Sequence, residues 1–421
     1  MIYDNKQINK SEDDWTFNGV STRDLTHCYH DYPARMIPQV VRKLLELFGK
    51  DAEILFDPYC GSGTSLVEAN IKGIDAIGTD LNPLARLIAK AKTSTPDVKM
   101  VENLIVLFEK NALKDRMLRI KDDSEIYGIP RLHFWFKESV VKKLFEIRNF
   151  IDSIESEEIK FFFQVAFSEA VRESSNTRND EFKLYRYNEE TLSKFDPDVY
   201  QIMVSKLRRN LAGLKQFTEI ICRFEKKPKT TIYDFDTVEG IPKEFKESID
   251  IVITSPPYGD SRTTVAYGQY SRLSSQWLGL KEPQKVDNRL MGGRKLKEIP
   301  DFHCENLLDA LSKIKKKDEK RALEVASFYN DLFQSIKNVS TSLKRGAFAC
   351  YVVGNRKVKG IVLPTDTAIV EFFAFCGFDH HSSFVRSIPN KRMPKRNSPT
   401  NIKGIIDETM TKEHIVVMRK R

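Results

Sequence analysis

No stretch of the 421-residue chain is apolar enough to cross a bilayer. The longest nearly apolar runs, such as GAFACYVVG at 346–354, fall far short of the roughly 20 residues a spanning helix needs. The opening MIYDNKQINKSEDDW lacks a basic segment followed by an apolar one, so no secretory signal is visible and a bacterial or archaeal cytoplasm, facing the nucleoid, is expected. Six cysteines (Cys28, Cys60, Cys222, Cys304, Cys350, Cys376) never form a CxxC pair, which argues against a zinc ribbon and against a disulfide framework. Only His27/His30 and His380/His381 lie close together among seven histidines, and no HExxH or HxE…PCxxC pattern accompanies them, so no metal is expected. Internal repeats are absent. With 41% hydrophobic and 30% charged residues the composition is neither disordered nor membrane-like. At about 150 residues per domain the length suggests one to three domains, enough to bury a core without disulfides or metals.

What the chain has is a positive balance of +9, unevenly spread. Between Asp379 and Asp407 there is no acid, yet Arg386, Lys391, Arg392, Lys395, Arg396 and Lys403 lie there, punctuated by Pro389, Pro394 and Pro399. This pattern reads as an ordered basic loop suited to phosphate contact. The run Lys315–Lys317 reads instead as a solvated helix face.

Residues 54–58 (ILFDP) form a short apolar run ending in Asp-Pro, followed by the turn Tyr59-Cys60-Gly61-Ser62-Gly63-Thr64 and the helix-spaced SLVEANIKG, which stops at Gly73. AIGTD (76–80) makes a second strand ending in an acid, and Asn82-Pro83 opens the helix LARLIAKAK. Strand, glycine turn, helix, strand, acid, helix is the first half of a doubly wound nucleotide-binding sheet. Residues 96–228 are helical in rhythm. Strand punctuation returns at TTIYDFD (230–236) and SIDIVITSPPY (248–258), followed by a loop-rich basic segment at 259–320. A helix at 321–344, the strand GAFACYVVG, a helix at 365–375 and strand-like stretches at 378–388 and 414–420 complete the chain. The expected organisation is an α/β core of residues 1–95 plus 229–421, interrupted by a helical insertion at 96–228.

The turn at 57–64 is neither the G-x-G-x-x-G dinucleotide fingerprint nor a P-loop. Gly61 and Gly63 allow close backbone approach. A ligand carrying an amino-acid moiety could sit against those amides, with Asp57 facing its ammonium. Asp80, ending the next strand about twenty residues on, is placed to accept from ribose hydroxyls. Together with Asn82-Pro83 this favours a nucleoside-linked amino acid over a bare nucleotide. The sharpest signal is Thr254-Ser255-Pro256-Pro257-Tyr258 after the strand DIVIT. Two prolines fix the backbone and remove two N–H donors, so the edge presents carbonyl oxygens. Ser255 adds a hydroxyl and Tyr258 an aromatic face. Two acceptors gripping the hydrogens of an exocyclic amine would make its nitrogen more sp³-like and aim the lone pair at an electrophile, while Tyr258 stacks on the base at a gain of ~1–3 kcal/mol.

On these motifs the sequence resembles the DNA amino-methyltransferases, specifically their cytosine-N4 branch. DPYCGSGT is similar to the family's S-adenosylmethionine motif, and TSPPY to its catalytic motif, which usually begins with Ser for cytosine-N4 and with Asp or Asn for adenine-N6. THCYHDYPARMIP (26–38) resembles the segment that packs against the methionine part of the cofactor, and GAFACYVVGN and KRMPKRNSPTN belong to the same resemblance. The resemblance implies a Rossmann-like methyltransferase sheet, S-adenosylmethionine as cofactor, and cofactor contacts from Tyr32, Pro33, Asp57, Pro58, Cys60, Gly61, Gly63, Thr64, Asp80 and Asn82. The family's adenine-contacting acid should follow the strand TTIY, where Asp234 and Asp236 both fit. Ser255, Pro256, Pro257 and Tyr258 would hold the target amine. Cytosine-C5 chemistry needs a nucleophilic thiolate, usually presented as Pro-Cys, and no Pro-Cys dipeptide occurs.

A paired cytosine amine must leave the stack to react, which requires base flipping and a basic cleft on double-stranded DNA. Three segments compete to contact the duplex: 174–186, with Arg178, Lys183 and Arg186; 259–294, with Arg262, Tyr267, Gln269, Tyr270 and Arg272; and the basic loop, with Lys391, Arg392, Lys395 and Arg396. A cognate restriction endonuclease is the partner such an enzyme implies. Adenine-N6 or RNA amino-methylation is the alternative reading, because the Pro-Pro-Tyr grip serves any exocyclic amine. A non-catalytic nucleic-acid-binding subunit is disfavoured because both motifs look intact.

Overall fold

The computed structural model describes residues 13–113, 129–178, 182–259, 265–293, 296–388, 396–397, 407–408 and 410–421. Strands β1 (Ile54–Asp57), β2 (Asp75–Thr79), β3 (Thr230–Tyr233), β4 (Ile249–Thr254) and β5 (Leu343–Val353) are followed by the short β6 (Lys357–Val358) and β7 (Ile361–Val362). Then come β8 (Phe378–Ser387), the pair β9 (Arg396–Asn397) and β10 (Asp407–Glu408), and β11 (Lys412–Lys420). Seven of these form one sheet in the order β3-β2-β1-β4-β5-β11-β8. The first five run parallel. Strand β11 lies antiparallel between β5 and β8.

Local chemistry accounts for the central strands. β1 and β4 are near-continuous apolar runs, as strands covered on both faces must be, and Leu55, Phe56, Ile251, Val252 and Ile253 are fully buried. One face packs under helices Glu305–Lys317, Glu319–Ser342 and Thr365–Phe375. The other is covered by helices Pro38–Phe48 and Thr64–Asn70. Helix Pro83–Thr93 starts where the sequence signals it: Pro83 fills the first turn, and the Asn82 side chain accepts from the Leu84 amide at 3.1 Å.

Between that helix and β3 the chain runs through helices Val98–Leu113, Glu138–Asp152, Glu157–Ser174 and Val199–Ile221. Their apolar faces share one core with Leu84, Leu87 and Ile88 of helix Pro83–Thr93, with Tyr29 and Tyr32, and with Tyr270, Leu273 and Trp277. The helical segment is therefore welded to the side of the sheet that carries the glycine turn.

Two expectations change here. Part of the segment expected to be loop-rich is an ordered helix, Tyr267–Trp277, because Tyr270, Leu273, Ser274 and Trp277 recur at helical spacing and bury against Glu157–Ser174. Arg386, counted among the basic loop's cations, lies inside β8 at 5% exposure and pairs with Glu413. No helix among the described residues is long and apolar enough to cross a membrane.

Candidate active site

The chain moves outward from β1 to β2 and β3, then returns to β4 on the other side of β1. This reversal opens a crevice beyond the carboxyl ends of β1 and β4, where open α/β sheets bind ligands. Asp57 ends one of these strands and Thr254 the other. Although 197 residues apart, they touch: Thr254 Oγ1 donates to Asp57 Oδ1 at 2.5 Å. A cleft occupies the crevice. Tyr32, Pro33, Asp57, Cys60, Gly61, Thr64, Asp80, Asn82, Ser255 and Pro257 line it, so both motifs face one space.

Gly61 has φ +48°, a left-handed value, and the nearest heavy atom to a Cβ built on it is 3.9 Å away, on Tyr32. Its amide donates to Asp80 Oδ2 at 3.0 Å, and the Asn82 amide donates to Asp80 Oδ1 at 2.7 Å. These two bonds fix the carboxylate at the cleft wall and leave lone pairs for a ligand's hydroxyls. Burial raises the Asp80 pKa from its usual value, opposed by those two amides. Tyr32 stacks on Tyr267 with ring centroids 5.9 Å apart, and its hydroxyl accepts from Asn82 Nδ2 at 2.9 Å.

Gly63 does a different job from the one expected. A Cβ there would sit 2.9 Å from Ala89 Cβ and 3.1 Å from Ala89 Cα, so the residue admits helix Pro83–Thr93 rather than a ligand. Asp57 is also more committed than expected. It accepts from the Tyr59 amide at 3.0 Å, from Thr254 and from the Ser65 hydroxyl, stapling β1 to β4. Burial raises its pKa to about 6 despite these donors. Pro58 is buried behind the turn. Cys60 is buried and its thiol is pushed well above its ordinary pKa by desolvation, so it is no thiolate nucleophile.

Of the two acids after β3, Asp234 is exposed and lies 3.8 Å from Arg86, while Asp236 accepts from the Val238 amide at 2.9 Å within its own turn. Neither borders the cleft. In the second motif, Ser255, Pro257 and Tyr258 are half-buried and Pro256 is buried; Ser255 and Pro257 border the cleft, Pro256 and Tyr258 do not. Ser255 Oγ donates to the Tyr258 hydroxyl at 3.3 Å, which donates to Glu413 Oε1 at 2.8 Å. Desolvation and the Glu413 charge push the Tyr258 phenol well above its ordinary pKa, so it remains a donor.

The DNA-binding candidates separate. Arg178 is exposed and Lys183 half-buried, flanking a bridge between Thr177 and Arg186. Arg186 is drawn into the fold instead: it pairs with Glu189 at 2.5 Å and lies 4.8 Å from the Phe134 ring centre. Arg272 is half-buried on helix Tyr267–Trp277, with its Nε shielded from water. Arg262, Lys391, Arg392 and Lys395, and the side chain of Arg396, lie outside the described residues. The cleft also has walls that sequence reasoning passed over: Arg35 and Met36, which sit within the 26–38 segment, and Leu290, which carried no signal.

The doubly wound sheet, with a glycine turn and a strand-end acid at its switch point, is the framework of an S-adenosylmethionine-dependent methyltransferase. The sequence pattern of the DNA methylase family matches residues 2–91. The type II methyltransferase M.MvaI of Kocuria varians is 42% identical over 98% of this chain and 95% of its own length. The type II methyltransferase M.MjaII of Methanocaldococcus jannaschii is 32% identical over 28% of this chain and 23% of its own. Among solved structures, a SAM-dependent methyltransferase of Methanosarcina mazei aligns with 90% of this chain and 96% of its own at 9% identity and a TM-score of 0.33. The chain belongs to the DNA amino-methyltransferase family. S-adenosylmethionine is its methyl donor, and the cleft suits it, with open space at Gly61 and the Asp80 carboxylate on its wall.

Proposed function

We infer that this chain methylates the N4 amine of a cytosine flipped out of double-stranded DNA, as the modification partner of a restriction endonuclease. The observation that carries the reading is the sharing of one cleft by Ser255 and Pro257 with Gly61 and Asp80. Ser255 stands where the family usually has Ser for cytosine-N4 and Asp or Asn for adenine-N6. The similarity to M.MvaI, a type II methyltransferase, supports the modification role.

The cofactor supplies a methyl group on a positively charged sulfur, an electrophile for a nitrogen lone pair. The chain's task is to present that nitrogen. Ser255 Oγ and the Pro256 carbonyl accept the two amine hydrogens, and Tyr258 stacks on the ring. The grip matters most as the nitrogen rehybridises, so it favours the transition state over the bound base. Gly61, Asp80 and Tyr32 hold the cofactor, with Asp80 accepting from its hydroxyls. Residues 96–228 act as a DNA-contacting insertion on the 1–95 and 229–421 core. Arg178 and Lys183 reach phosphates from it, and Lys391, Arg392, Lys395 and Arg396 do so from the basic segment.

Single-turnover transfer of labelled methyl groups to unmethylated phage DNA tests the site. Ser255→Ala and Tyr258→Ala should each slow transfer by about tenfold or more, the scale of one charge-assisted hydrogen bond or base stack, with cofactor affinity nearly intact. Wild-type rates in both would make TSPPY a structural turn.

A further inference from the structure

Tyr258 is not held by its own loop alone. Its hydroxyl donates to Glu413 Oε1 at 2.8 Å, near the start of β11. The other carboxylate oxygen, Oε2, pairs with Arg386 Nη1. Glu413 and Arg386 face each other directly across β11 and β8. Arg386 is 5% exposed, and its Nε donates to the Trp15 carbonyl at 3.2 Å, which anchors the guanidinium to the N-terminal helix Asp13–Thr16. The tyrosine of the catalytic motif is thus tied to a buried ion pair that belongs to the far edge of the sheet.

We propose that Glu413 and Arg386 are positioning residues for methyl transfer, acting through the Tyr258 hydroxyl to set the angle of the ring on which the target base stacks. Arg386 orients the carboxylate; the carboxylate fixes the phenol; the phenol, accepting from Ser255 Oγ at 3.3 Å, also fixes the serine hydroxyl. Glu413 and Arg386 act through the Tyr258 hydroxyl and touch neither base nor cofactor in this scheme, so both are positioning rather than catalytic residues. The proposal rests on the reading that TSPPY holds the target amine.

The test is a mutant cycle in the full-length enzyme, read as single-turnover methyl transfer to unmethylated phage DNA alongside calorimetric cofactor affinity and thermal melting. Tyr258→Phe removes only the hydroxyl. The paired change Glu413→Met with Arg386→Met removes the acceptor without stranding a buried charge, a replacement that proteins often tolerate. Each should cut the transfer rate about tenfold, the scale of one charge-assisted hydrogen bond, with cofactor affinity unchanged. Combined, they should cut it no further, because interactions acting through one hydroxyl are not additive. A wild-type rate in either, or losses that multiply to about a hundredfold when combined, overturns the proposal. Tyr258→Ala separates the two layers. If it is slow while Tyr258→Phe is at the wild-type rate, the clamp fails and the amine-holding reading stands; if it too is at the wild-type rate, that reading fails.

Discussion

At the scale of single residues the switch point is governed by Asp57. Three donors converge on a carboxylate that is 3% exposed, yet burial outweighs them and holds its pKa near 6. An acid whose folded pKa is raised stabilises the fold most below its unfolded value, and that contribution disappears as pH rises through the folded one. Between pH 4 and 7 the wild type should therefore lose up to about 3 kcal/mol relative to Asp57→Asn, the equivalent of a shift of about two pKa units. Urea unfolding at steps of pH checks this, and parallel curves for the two proteins would contradict it. The paired glycines separate in the same way. Gly61→Ala should weaken cofactor binding at only the modest cost of one residue held at φ +48°, because its Cβ meets no atom nearer than 3.9 Å at the cleft. Gly63→Val should lower the melting temperature sharply, because its Cβ meets Ala89 at 2.9 Å.

At the scale of elements, helix Pro83–Thr93 carries more than its cap. Lys92 on this helix is fully buried, and its Nζ has no hydrogen-bond partner among the described residues. Desolvation, helped by the Arg35 charge, lowers its pKa from 10.5 to about 7. A base whose folded pKa is depressed costs stability progressively as pH falls from its unfolded value through its folded one. Lys92→Met should raise stability at both pH 7 and pH 10 by about 1–3 kcal/mol for the unsatisfied buried amine, and at pH 7 by roughly 4 kcal/mol more, the equivalent of a shift of about three pKa units. Chemical denaturation of the two proteins at both pH values checks this. Elements with a clear period were legible in the sequence: the helix Thr365–Phe375 and the strands at 54–57 and 378–387 lie where apolar spacing and Pro or Gly punctuation put them. Helix Tyr267–Trp277 was not, because serines fill much of its buried face and its basic, glycine-flanked surroundings resemble a loop. The two motifs were legible as strand-end turns, since prolines, glycines and strand-end acids have local meanings, and the fold sets residues of both on one cleft. Glu413 was not, because its role depends on the β8–β11 register, which no local pattern encodes. Arg386 was misread for the same reason: its counter-charge lies 27 residues on, and only the sheet brings the two together.

At the scale of the molecule, the cleft lies between the strand ends, the 26–38 segment and Tyr267, and the net charge of +9 supplies the attraction for a polyanion. Replacing Lys391, Arg392, Lys395 and Arg396 together with Ala should weaken DNA binding across sequences and flatten the log–log salt dependence by ~0.9 for each phosphate no longer neutralised. A changed target sequence with an unchanged salt slope would instead make that segment a base reader. The central claim, transfer to a cytosine N4 amine, meets its most direct test in the product. DNA from cells expressing the protein, digested to nucleosides and resolved by mass spectrometry against cells carrying Ser255→Ala, should contain N4-methylcytosine that is absent or strongly reduced in the variant. N6-methyladenine alone, with no N4-methylcytosine, would contradict the account and assign the same Pro-Pro-Tyr grip to adenine.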